Sequence, residues 1–172
     1  MAAERILLAP GASGNPKQLA AHAEGLRARG HEVDIVSLSK GTVERAMPIY
    51  RDAIGPDPSR LVTGGQSFGG RVASLLAAED APAALVLFAY PLHAPGRQEA
   101  WAERSAHWPR ISCPVLLLSG ESDPFARIDL LRGAVGQLPK ATLVTYPGVG
   151  HGVGPVLDQA LDEVDAFLRA NT

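Results

Sequence analysis

The chain has 172 residues, 46% hydrophobic and 20% charged, which predicts one soluble globular domain spanning residues 1–172. A formal net charge of -2, with arginines scattered among acids, excludes the clustered basic surface of a nucleic-acid partner. The one cysteine, Cys113, excludes an internal disulfide, and no run approaches the ~18 apolar residues that cross a bilayer.

The first apolar run, Arg5–Ala9, reads as a strand and leads into the glycine-rich loop 10–14. It is too short for the core of an export signal, so a reducing cytoplasm is the expected location. Residues 17–29 place Leu19, Ala20, Ala23 and Leu26 on one side and end at Gly30, a C-cap signal. A second strand is expected over 33–38 and a short helix over 42–54. The strand at 61–64 passes through a tight turn into an alanine- and leucine-rich helix, Phe68–Glu79. A fourth strand follows at 84–89, then a weakly amphipathic helix at 98–107. Cys113 stands just before the fifth strand, 114–119, where a buried structural thiol is expected rather than a nucleophile. Residues 127–138 carry Ile128, Leu131 and Val135 at helical spacing, and Ala141–Tyr146 is the sixth strand. The last helix, 155–170, has an apolar stripe from Val156 to Leu168, with Pro155 suited to its first turn.

Most strand runs are apolar throughout rather than alternating, the pattern of strands covered on both faces. Strand and helix alternate along the whole chain, which predicts an α/β layered domain with right-handed crossovers.

The stretch carrying chemistry is Gly65-Gln66-Ser67-Phe68-Gly69, placed between a buried strand and a helix. In that setting it reads as a nucleophile elbow: the serine sits on a strained turn, and small residues two positions away avoid neighbouring backbone. It lacks the ending of a phosphate-binding loop and the third glycine of a dinucleotide fingerprint. The helix behind it directs free N–H groups at a developing oxyanion. A serine hydroxyl needs a base within hydrogen-bond reach, and the base needs an orienting carboxylate. His151, in the loop after the sixth strand, is the expected base. The loop after the fifth strand offers Glu121 and Asp123, and Asp123-Pro124 closes it. Parallel strands all end on one side, so the three loops share a sheet edge. Phe68 and Ala12 are the expected oxyanion donors. His93, just after the fourth strand, is assigned a substrate-lining place; His22, His31 and His107 read as structural or surface residues. No His/Cys/Asp/Glu cluster has metal-ligand spacing, and no cofactor is expected.

On these residues the chain resembles the α/β-hydrolase superfamily, and within it the short lidless members related to dienelactone hydrolase. The motifs carrying the likeness are Gly64-Gly65-Gln66-Ser67-Phe68-Gly69-Gly70-Arg71, Tyr90-Pro91-Leu92-His93 with Pro95-Gly96, Leu118-Ser119-Gly120 with Asp123-Pro124, and Gly150-His151. The resemblance implies a three-layer α/β/α fold without a lid domain, on a six-stranded parallel sheet of order 2-1-3-4-5-6. It favours Asp123 over Glu121, and implies a serine hydrolase cleaving a small ester or thioester through an acyl-enzyme. Two departures stand out: Pro10-Gly11 replaces the usual His-Gly of the first loop, and serine replaces the cysteine of dienelactone hydrolase proper. Residues 96–110, where relatives insert lids, are too few for a large cap, so an open site is expected. A non-catalytic binding or scaffold protein of the same fold, or an acyltransferase, would share these residues; oligomeric state is not encoded in them.

Overall fold

The computed structural model describes residues 5–172. Six parallel strands form one sheet in the order β2-β1-β3-β4-β5-β6: β1 Arg5–Ala9, β2 Glu32–Ile35, β3 Leu61–Gln66, β4 Ala84–Phe88, β5 Val115–Gly120 and β6 Ala141–Tyr146. The central strands β4 and β5 are fully buried, as their apolar runs require, and alternate side chains feed two cores. Leu85 and Leu87 of β4 join Leu7, Val115 and Leu117 on one face. Val86 and Phe88 join Ile6, Leu8, Leu116 and Leu118 on the other.

Helices cover both faces. α2 (Val43–Ile54) and α3 (Phe68–Glu79) pack on the first, together with α4 (Trp101–Ser105) and α5 (Ile128–Ala134); α1 (Ala20–Ala28) and α6 (Leu157–Asn171) pack on the second. Thr42 caps α2 through its side-chain oxygen, and Pro16 starts a short 3-10 turn ahead of α1. The expected strand at 33–38 is shorter, ending at Ile35, because Leu38 leaves the sheet to bond the Gly14 carbonyl. The sixth strand is an edge strand and only half-buried, so it does not share the two-sided burial of the inner ones.

Residues 96–110 form no cap over the sheet. They fold as two 3-10 turns flanking α4, and Trp108 is completely buried edge-on to Tyr90 at 5.0 Å. Among the described residues no helix is long and apolar enough to cross a membrane.

Candidate active site

The site is built on the end of β3. Ser67 holds φ 49° and ψ -118°, a region that side-chain-bearing residues seldom occupy, and α3 begins at the next residue. Its neighbours show why the surrounding motif is glycine. A Cβ on Gly65 would lie 2.5 Å from the Ala9 carbonyl oxygen, and one on Gly69 would collide with the Ala9 and Pro10 carbonyls. The Ser67 N–H donates to the Phe88 carbonyl at 2.8 Å, fixing the turn to β4. A serine preceding a helix ordinarily accepts a bond from the first helical turn, but the Ser67 hydroxyl makes no such cap. It is turned instead to His151, whose Nε2 lies 2.9 Å from the Ser67 Oγ.

The other face of the imidazole is equally committed. His151 Nδ1 is 2.8 Å from Asp123 Oδ2, with the Asp123 side chain wholly buried and about a quarter (26%) of the imidazole exposed. The second Asp123 oxygen accepts from the Phe125 N–H at 2.8 Å, and the Phe125 ring lies over the imidazole at 4.3 Å. Asp123 thus accepts through both of its oxygens, one from the imidazole and one from the main chain. Glu121 is occupied elsewhere, accepting from Thr145 Oγ1 at 2.8 Å and pairing with Arg132. The acid and histidine loops are stitched together: Ser122 N–H donates to Val149 O at 2.9 Å and Glu121 N–H to Tyr146 O at 2.9 Å. Gly120 makes that close approach possible, since a Cβ there would meet the Val149 and Gly150 carbonyls.

Among the described residues the N–H of Phe68, in the first turn of α3, and that of Ala12, in the loop after β1, have no main-chain acceptor. The Gly11 N–H is already donated to Gln18 Oε1 at 3.1 Å. The structure therefore brings Ser67, Asp123 and His151 into one chain of hydrogen bonds. His93 is the correction. Instead of lining a substrate space it is buried (1% exposed), its Nε2 accepts from the Arg127 N–H at 2.9 Å, and its Nδ1 is 2.9 Å from the Ala94 carbonyl. Its own N–H donates to Phe125 O at 3.0 Å, so the ring ties the acid loop to the end of β4.

Residues without a local signal complete the site. Phe125 contributes its ring, tilted 31° to the imidazole, a contact that spans 26 positions of sequence. Tyr50, from α2, is fully buried; its hydroxyl donates to Leu7 O at 2.6 Å and accepts from the Gly64 N–H at 3.0 Å, bracing β1 and β3 below the elbow. Cys113 is buried, and burial pushes its thiol up to about 11, the state of an inert thiol.

Solved structures share this architecture. A monoacylglycerol lipase from Paleococcus ferrophilus superposes with a TM-score of 0.80 at 16% identity, covering 98% of this chain and 95% of that one. Est1E from Butyrivibrio proteoclasticus gives 0.78 at 16%, over 98% and 88%. A dienelactone hydrolase from Anabaena variabilis gives 0.75 at 19%, over 99% and 87%. At these identities the likeness is one of fold. No curated protein matches the sequence. A family profile described as an alpha/beta hydrolase domain matches residues 40–166, most of the chain, and the protein belongs to that alpha/beta hydrolase family.

Proposed function

We propose that the protein is a serine hydrolase that cleaves small esters or thioesters through an acyl-enzyme at Ser67. The observation that carries this reading is the unbroken relay from Ser67 Oγ to His151 Nε2 at 2.9 Å and from His151 Nδ1 to Asp123 Oδ2 at 2.8 Å. His151 accepts the hydroxyl proton as Ser67 Oγ attacks the carbonyl carbon, and Asp123 stabilises the imidazolium. The Phe68 and Ala12 N–H groups hold the oxyanion. His151 returns the proton to the departing alcohol or thiol, then takes one from the water that attacks the acyl-enzyme. The acid is released and Ser67 is restored. An open edge with no cap suits short acyl groups, and a single buried cysteine suits a reducing cytoplasm.

The experiment is fluorophosphonate labelling combined with hydrolysis of 4-nitrophenyl esters. Ser67 should be labelled, acetate should be preferred to long-chain esters, and Ser67→Ala should lose label and about 10³-fold or more in kcat. Hydrolysis that survives Ser67→Ala would overturn the mechanism. An unlabelled wild-type protein would favour a binding role for the fold.

A further inference from the structure

One turn behind the nucleophile, α3 carries an arginine with nothing to bind. The Arg71 N–H donates to the Ser67 carbonyl at 3.0 Å, so the two residues stand one helical step apart on the same side of α3. Among the described residues the Arg71 guanidinium makes no ion pair and no side-chain hydrogen bond, and its Nε is buried without a partner. Leaving a buried cationic donor unpaired is costly, and a ligand that supplies an acceptor removes the cost. Arg71 lines a groove of about 570 Å³ together with Phe68 of α3 and Thr42, Val43, Glu44 and Met47 at the start of α2. Phe68, the residue after the nucleophile, is shared between this groove and the oxyanion edge.

The local field is positive. Burial first, and then the Arg71 charge, push the Arg104 guanidinium down; burial, Arg110 and Arg71 hold the His107 imidazole at about 4. Among the described residues Arg104 likewise has no ion pair, its Nη1 donating to the Pro91 carbonyl at 3.0 Å. The free N–H groups of the first turn of α2 add to the positive side of the groove. Glu44 is the one acid among its lining residues, and it makes no ion pair with Arg71.

We infer that Arg71 is a specificity-determining residue whose guanidinium binds a carboxylate on the acyl part of the substrate, which makes a short acyl chain ending in a carboxylate the preferred class. This rests on Ser67 being the nucleophile, since it is that serine which sets where the acyl chain runs. Arg71 acts on binding rather than on the reacting bond, so its contribution falls mainly on KM.

The test compares the 4-nitrophenyl monoester of glutarate with its neutral methyl ester. The ratio of kcat/KM is taken within each variant, so that any general loss of folded enzyme cancels. The wild-type protein should prefer the monoanion by about tenfold or more, and the preference should shrink as salt is raised. Arg71→Met should bring the ratio to parity through KM, Arg71→Lys should keep part of it, and Glu44→Gln should increase it. A wild-type ratio near one, or a preference that survives Arg71→Met, overturns the inference while leaving the serine mechanism standing. A second measurement is independent of turnover: calorimetric titration of monomethyl glutarate into Ser67→Ala, with and without Arg71→Met. Binding that disappears with Arg71 supports the subsite even where no ester is hydrolysed, and equal binding in both proteins refutes it.

Discussion

Ser67 occupies a backbone conformation that costs on the order of 1–3 kcal/mol, and the surrounding contacts hold it there. Tyr50 is one of them. Its hydroxyl takes the Gly64 N–H as donor and gives its proton to Leu7 O, two main-chain groups at the base of the elbow. Tyr50→Phe strands those groups in the core and should cost about 1–3 kcal/mol in urea denaturation, far more than an exposed Tyr→Phe change. Local rules made much of this scale legible. Gly65, Ser67 and Gly69 announce themselves by spacing, although the carbonyls that exclude a side chain at the two glycines, those of Ala9 and Pro10, lie at the end of β1. Tyr50 and Phe125 do not: their partners are brought near by folding, and nothing in a window of sequence marks them. For His93 the position after β4 is readable, while the inward direction of its ring is not.

At the scale of elements, the site depends on two loops that hold each other. The acid loop is bonded to the histidine loop through Ser122 and Glu121, and to the end of β4 through His93. Removing the imidazole of His93 frees the Arg127 N–H and loosens the segment that sets Asp123. His93→Ala should therefore lower kcat by about 10- to 100-fold with little change in KM, whereas a substrate contact would move KM instead. Rescue by His93→Gln, which can still accept from Arg127, would place the effect in that bond. The inner strands β4 and β5 were legible from their unbroken apolar runs, Ala84–Phe88 and residues 115–118. Their outer neighbours were harder: β2 stops early and β6 is half-buried, because an edge strand has fewer partners to enforce its length or its pattern.

Across the whole molecule, two histidines are buried on opposite faces of the sheet without ionised partners. His22, edge-on to Phe88 at 5.1 Å, is pushed down to about 4 by burial; His107, 2.8 Å from Ser74 Oγ, is held at about 4 by burial and by the neighbouring arginines. Unfolding returns each to its ordinary value near 6.5, so the unfolded chain binds protons that the folded chain refuses between those limits. Stability should be fully present above pH ~6.5, should fall by up to about 3 kcal/mol per histidine as pH drops through 4, and should lose no more from these groups well below it. Urea midpoints measured across this range check the slope, and His22→Phe should flatten it on one face alone. The order of the sheet followed from family likeness, since alternation of strand and helix constrains layers but leaves the sequence of neighbours open.

With Trp108 turned inward and residues 96–110 forming no canopy, the imidazole of His151 keeps about a quarter (26%) of its surface in contact with solvent. Under the proposed mechanism, an acyl group on Ser67 would be met first by solvent, the most abundant acceptor present. Any competing acceptor has to arrive already bound beside the serine. Selectivity in such an enzyme resides in which acyl groups dock, because no door decides when water enters.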